Sequence, residues 1–222
     1  MSLLSYSGLS TKIRAMSRYL ITDEQFQDIT YMKSIDEFIT YIKNTPGYSN
    51  VFEHVSADNL HREDVERLLR KDVFNDFTKL YRFANSKQRD FLDLYFLRYQ
   101  VSIIKSCLKK VANNQYPELD LSLYQDFFLH HSKLNLDKLS SSTSIKELVE
   151  NLKGSDFYKP LSKLLDYRES TIYDFEVQLD AYYYTSLWKN RKKYLSGEDL
   201  DIVTHTYGCQ IDMLNIEPNH AR

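Results

Sequence analysis

The apolar positions of this chain recur with the period of an α-helix. Two segments carry apolar residues at i, i+3, i+4 and i+7, which form one stripe along a helix. The stripes consist of Ile35, Phe38, Ile39 and Ile42, and of Ile145, Leu148, Val149 and Leu152. No segment shows the strict alternation that indicates a half-buried strand. The pattern therefore predicts an all-α protein.

The same periodicity, combined with start and stop signals, predicts further helices. We expect them near residues 10–20, 23–31, 35–44, 62–84 and 88–112, and near 120–132, 145–153, 172–194 and 197–216. The chain has only five Gly and four Pro. Tight turns that need a positive φ are therefore scarce, which favours long helices with short connections over hairpins.

The two stripes lie 110 residues apart, and the similarity continues at this offset without a gap. Each stripe follows a capping-box signature, Ser34 with Glu37 and Ser144 with Glu147. Such a cap contributes about 1 kcal/mol. At the same offset, Gln100-Val101 falls on Gln210-Ile211, and Ile103-Ile104 falls on Met213-Leu214. We predict an internal repeat with two similar helical domains, residues 1–112 and 113–222; chance similarity of two amphipathic helices is the alternative.

The charge, the cysteine content and the length of the apolar runs argue against several classes of protein. The 29 Lys and Arg are scattered and balanced by 31 Asp and Glu, unlike the basic stripe of a nucleic-acid-binding domain. The two cysteines, Cys107 and Cys209, form no CxxC pair, as expected of a reduced intracellular protein. The strongest apolar run, Phe91 to Leu97, is broken by Asp93 and is far shorter than the roughly 20 residues of a membrane span.

Candidate catalytic and metal-binding residues have simpler structural interpretations. The sequence contains no phosphate-binding glycine loop, no nucleophile elbow and no HExxH motif. Asp174 and Glu176 are two residues apart, so they point to different faces of a helix. The adjacent His130 and His131 likewise diverge by about 100°, and His61 suits the charged first turn of a helix. We expect no catalytic site, metal or cofactor.

An enzyme remains an alternative, and it requires acids, histidines or tyrosines to converge in one pocket. The residues concerned are His54, His61, His130 and Asp174. The aromatic cluster of Tyr182–Tyr184 and Trp188 precedes the basic run Lys189–Lys193, but Tyr184 and Trp188 share one helix face, which favours helix packing over base stacking. Cys107 lies on an apolar face beside Ile104, so we expect it to be buried rather than reactive.

Four segments resemble the C-subunit family of V-type (V/A-type) ATPases, to which the eukaryotic d subunit also belongs. The segments are Lys12–Leu20, Met32–Phe38, Tyr173–Tyr183 and Gln210–Ile216. Their order and spacing carry the resemblance, which covers the chain up to Ile216.

The resemblance implies an all-helical, funnel-shaped protein without catalytic site or cofactor. It implies a peripheral position at the cytoplasmic face of a membrane, where the protein couples the central stalk to the proteolipid ring during ATP-driven proton or sodium transport. Arg14, Arg18, Asp212 and Asn215 match recurrent family positions. For these four residues we expect structural or interface roles, such as satisfying buried polar partners.

One departure concerns the number of domains, because the family has three and this sequence shows two copies. The chain closes with Glu217 to Arg222, in which Pro218 interrupts a helix. Two-thirds of a funnel would expose the surface meant for the third domain, so we expect self-association through that surface. A generic helical adaptor that binds partner helices is the alternative function.

Overall fold

A computed structural model describes residues 3–55, 60–115, 117 and 128–216. Within these ranges every regular element is a helix and no β strand occurs, which confirms the all-α prediction. The chain divides into two compact units, Met1–Ala84 and Asn85–Arg222. In the described part, no helix has the length and apolarity that a bilayer span requires.

The first unit consists of helices packed around a small apolar core. Its helices are α1 (Leu3–Ser17), α2 (Asp23–Thr30), α3 (Ile35–Lys43), α4 (Ser49–Phe52) and α5 (Arg62–Phe83). Ile39 and Ile42 of α3 are buried with Phe52 of α4 and Val65 of α5. The predicted stripe on α3 therefore faces the core. The helix α1 packs against α5.

Side-chain caps set where α2 and α3 begin. At α2, Thr22 Oγ1 accepts from the Gln25 amide (3.3 Å) and Gln25 Oε1 accepts from the Thr22 amide (3.0 Å), which is a complete capping box. At α3, Ser34 Oγ accepts from the Glu37 amide at 3.2 Å. The Glu37 carboxylate instead accepts from the amide of Lys33 (2.8 Å), one residue earlier than a capping box requires.

The turn after α3 depends on a glycine. A Cβ on Gly47 would lie 2.3 Å from the carbonyl oxygen of Tyr19, so only glycine allows the two backbone segments to approach this closely. The turn that follows α3 thus also lies directly against the backbone of the segment after α1.

The second unit is built on two long helices. Its elements are α6 (Ser86–Ala112), α7 (Leu136–Ser140), α8 (Ile145–Asn151), α9 (Tyr158–Ser162), a 3₁₀ helix (Lys163–Asp166), α10 (Ile172–Tyr194) and α11 (Glu198–Ile216). Residues 128–131 are also helical. The rest of the helix predicted near 120–132 lies outside the described residues.

The helix α6 forms the centre of the second unit. It packs along α10 and also contacts α7 and α8. The rings of Phe96 and Phe128 meet edge to face with centroids 4.9 Å apart. On α10, Phe175, Leu179, Tyr183 and Leu187 recur every fourth residue and are all buried. The apolar run that begins at Phe91 is thus part of a protein core.

The start of α8 has the same geometry as the start of α3. Ser144 Oγ accepts from the Glu147 amide (3.2 Å), and Glu147 Oε2 accepts from the amide of Thr143 (2.8 Å).

The short helices α4, α7 and α9 were absent from the sequence prediction. Four or five residues are too few to show a helical period.

Truncation of the core residue Phe52 tests the packing of the first unit. We expect Phe52→Ala to lower the free energy of unfolding by about 3–5 kcal/mol, because it leaves a cavity among α3, α4 and α5. The control Tyr31→Ala removes an exposed ring at the end of α2 and should cost within about 0.5 kcal/mol. Urea denaturation of the three proteins measures both, and equal losses would contradict the assigned core.

Candidate binding groove

An open groove of about 1040 Å³ lies between α10 and α11. Its apolar lining comes from Tyr173, Val177, Ala181, Tyr184 and Trp188 of α10, and from Gly208, Ile211 and Leu214 of α11. Charged and amide groups rim it, including Lys105, Asp180, Lys189, Asp212 and Asn215. Pockets with an apolar lining and a few polar groups are typical of binding sites.

One buried arginine, Arg191, joins α10 to α11. The Arg191 guanidinium lies 3.5 Å from the ring centroid of Trp188, and its Nε donates to Thr204 Oγ1 at 3.0 Å. The same guanidinium donates to the Trp188 carbonyl oxygen. Gly208 of α11 lies beside the Trp188 ring, and a Cβ built on this residue would be in ordinary van der Waals contact with the ring at 3.8 Å. Together these contacts fix the N-terminal half of α11 on α10.

Two ion pairs join α6 to the side of α10 that borders the groove. Lys105 Nζ lies 2.6 Å from Asp180 Oδ2, and Lys109 Nζ lies 3.1 Å from Glu176 Oε1. The two lysines are one helical turn apart, as are the two acids, so α6 and α10 run antiparallel with this register. All four side chains are partly solvated, so each pair contributes about 1 kcal/mol or less.

Tyrosines fill the junction of α6, α10 and α11. Burial raises the pKa of the Tyr183 hydroxyl far above its usual value, and the neighbouring Tyr207 raises it further. Arg98 Nη1 donates to Tyr95 Oη at 2.7 Å, and its guanidinium also lies over the ring of Tyr99. Tyr183 therefore stays a neutral phenol at physiological pH and acts as a packing and hydrogen-bonding group.

The structure divides the four residues selected from the sequence between the two units. Asp212 and Asn215 both line the groove. Arg14 lies on α1 and Arg18 follows its end, and both are exposed. The Arg18 guanidinium lies 5.0 Å from the ring centroid of Tyr19. Roles for all four residues stay predictions.

The other candidates form local structural contacts. His61 is the N-cap residue of α5, and its amide donates to Asp64. Asp174 accepts from the Thr171 amide at 2.7 Å and caps α10. The nearest oxygen of Asp93 lies 3.7 Å from His131 Nδ1. In the described ranges no group of three or more His, Cys, Asp or Glu side chains is arranged to hold a metal ion.

Sequence reasoning missed Lys105 and Asp180, which are 75 positions apart. The sequence offered one signal. Two lysines, Lys105 and Lys109, lie four residues apart on α6, and two acids, Glu176 and Asp180, lie four residues apart on α10. It becomes informative only when the two helices are known to be antiparallel neighbours. Trp188 was assigned to helix packing, and it does pack against α11, while its ring also lines the groove.

The fold is all-α, and the second unit carries an open groove lined by two helices. The chain belongs to the ATP synthase (C/AC39) subunit family, whose family model matches residues 9–217. This match confirms the resemblance seen in the sequence.

Similar proteins in the same family are the C subunits of A-type ATP synthases from several organisms. The chain is 26% identical to that of Pyrococcus abyssi over 215 residues, which cover 95% of this chain and 54% of the relative. It is 24% identical to that of Methanosarcina acetivorans, with 96% and 57% covered, and 22% identical to that of Methanocaldococcus jannaschii, with 97% and 53% covered. The chain thus spans about half the length of the curated relatives it matches. No solved structure gives a significant match.

The role of Arg191 is tested by a substitution that keeps its charge. We expect Arg191→Lys to lower the free energy of unfolding by about 1–3 kcal/mol, since an ammonium group cannot both stack on Trp188 and donate in the plane of a guanidinium to Thr204. The matched control is Lys192→Met at an exposed position of the same helix. Thermal unfolding compares the two, and an equally stable Arg191→Lys protein would contradict the anchor.

The two cysteines should differ strongly in reactivity. Burial raises the pKa of the Cys107 thiol to about 12, whereas Cys209 is exposed on α11. At pH 8 Cys107 is protonated and shielded, so iodoacetamide should modify Cys209 at least about tenfold faster. Peptide mass spectrometry of the native protein measures both rates. Equal rates in the folded protein would show that α6 is not packed as described.

Proposed function

We propose that this chain is a non-catalytic rotor subunit of a V/A-type ATPase, which couples the central stalk to the proteolipid ring at the cytoplasmic face of the membrane. The observation that carries the proposal is the family match over residues 9–217. The expected partners are the central-stalk subunits and the ring, and the process served is ATP-driven proton or sodium transport. The protein itself needs no catalytic group or cofactor for this role.

Mechanical coupling requires a stiff body with surfaces for two neighbours. Helices packed at the density of a protein core transmit strain because they compress little. In the second unit, α6 provides such packing, with Phe96, Ile104, Cys107 and Leu108 fully buried. The groove between α10 and α11 supplies a surface on which a partner helix can bury apolar area. Asp212 and Asn215 border this surface and would orient the partner.

We further infer that the two copies of an internal repeat are residues 1–112 and 113–222. Helices begin at matching positions in both: α3 and α8 start 110 residues apart, and so do α5 and α10. The caps of α3 and α8 repeat the same two hydrogen bonds at the same distances. In this division α6 belongs by sequence to the first repeat and by packing to the second compact unit.

A binding experiment tests the rotor role. The tagged chain is incubated with central-stalk subunits and with the detergent-solubilised proteolipid ring from the same source, beside a full-length relative as positive control. We expect both partners to be retained. Val177→Asp, which introduces a charge into the groove, should reduce retention of one partner by tenfold or more, because a charge buried at an interface costs about 1.4 kcal/mol or more.

Tyr167→Asp is the matched control, because Tyr167 is exposed and is not part of the groove lining. Retention by the full-length relative alone would show that this chain lacks a surface the role requires. If neither protein retained a partner, the rotor role would be rejected in favour of the alternative, a helical adaptor that binds other partners.

A further inference from the structure

A cluster of hydrogen-bond donors lies where α6, α10 and α11 meet. Its centre is Arg98 of α6, which is exposed. The ionisable groups that act on its charge are hydroxyls, those of Tyr95, Tyr99 and Tyr183. Within the described ranges no carboxylate pairs with Arg98. The cluster thus carries one positive charge that no acid of these ranges balances.

Two tyrosines of α6 hold the guanidinium of Arg98 in place. Its carbon atom lies 5.3 Å from the ring centroid of Tyr95 and 5.5 Å from that of Tyr99, which is within the range of cation–π attraction. Its Nη1 also donates to Tyr95 Oη at 2.7 Å. The other N–H groups of the guanidinium have no acceptor among the described residues. Because the side chain is already ordered, less conformational entropy is lost when an acceptor binds.

The hydroxyls of Tyr95 and Tyr207 are further donors beside this guanidinium. A phenol that accepts a hydrogen bond keeps its own proton to donate, and Tyr95 accepts from Arg98. Burial, the charge of Tyr207 and a hydrogen bond to Tyr207 raise the pKa of Tyr183. Burial also raises the pKa of Tyr207, but there the same hydrogen bond opposes the rise. These opposite effects mean that Tyr183 donates and Tyr207 accepts, which leaves the Tyr207 proton available.

The available donors match an acceptor that carries a single negative charge. A carboxylate can accept two parallel N–H bonds from a guanidinium and still accept from a hydroxyl. A phosphate group carries a charge of about −1.5 to −2 and is typically bound by a cluster of arginines, whereas this cluster contains one. Tyrosine and arginine are also the residues that contribute most binding energy at protein interfaces.

We propose that Arg98, Tyr95 and Tyr207 form an interaction site for a carboxylate side chain on an acidic segment of a partner protein. An exposed arginine holds a free carboxylate in water only weakly. An acid that is presented on a protein surface also excludes water, which strengthens its hydrogen bonds to the guanidinium and the hydroxyls. The proposal follows from the chemistry of this cluster and is independent of the rotor role.

Peptides of defined charge test the site on the full chain. The probes are dye-labelled peptides of alanine and serine that carry glutamates at varied spacing, each paired with a version in which glutamine replaces glutamate. Fluorescence anisotropy measures their dissociation constants. We expect glutamate peptides to bind, and their glutamine versions to bind about tenfold more weakly or worse. Arg98→Gln should weaken the binding of glutamate peptides to a similar extent, and Tyr207→Phe by roughly 2- to 5-fold.

Matched variants separate this site from a general effect of positive charge. Arg168→Gln removes an exposed arginine outside the cluster and should bind like the unaltered chain. Arg98→Lys keeps the charge but cannot donate two parallel N–H bonds, so it should bind roughly 3- to 10-fold more weakly. Circular dichroism confirms that each variant is folded.

Four outcomes would overturn the proposal. They are equal binding by Arg98→Gln and the unaltered chain, equal binding of the glutamate and glutamine peptides, and no binding of any peptide at roughly 1 mM. The fourth is tighter binding of inorganic phosphate than of any glutamate peptide, which would assign the cluster to a small anion.

Discussion

The packing of α6 along α10 is the interaction on which the second unit depends. It buries the apolar side of α6, sets the antiparallel register through Lys105 with Asp180 and Lys109 with Glu176, and provides the surface on which α7 and α8 pack. The ion pairs are partly solvated and add little free energy, so burial of Phe96, Ile104, Leu108 and their neighbours supplies most of the stability. The groove lies beside this contact because α11 covers the other edge of α10.

Most helices of seven residues or more could be predicted from the sequence, although α1 begins at Leu3 and not near residue 10, and helices of about one turn could not. The starts of α3, α5 and α10 were located within one residue, because caps and a sustained 3.6-residue period both mark them. The helices α4, α7 and α9 hold one turn or little more, and tertiary contacts decide their conformation. Membership of the family was recognised from the order of four segments, none of which is decisive alone.

Only part of the groove could be predicted from the sequence. Asp212 and Asn215 were selected through the family resemblance, and they do line it. The contacts that shape it join residues far apart in the chain, such as Lys105 and Asp180, or depend on a side chain's route through the core, such as Arg191 over Trp188. No local pattern encodes these contacts, since each requires the relative position of two helices to be known.

The helix α11 is attached to α10 mainly through its first half. Its first half is held on α10 by Arg191, which donates to Thr204 and lies over the ring of Trp188. Its second half borders open space and buries none of its residues fully. Because no residue of this half is buried, a shift of it relative to α10 would expose no core residue of α11. We therefore expect the width of the groove to change at a smaller cost in free energy than the packing of α6 on α10.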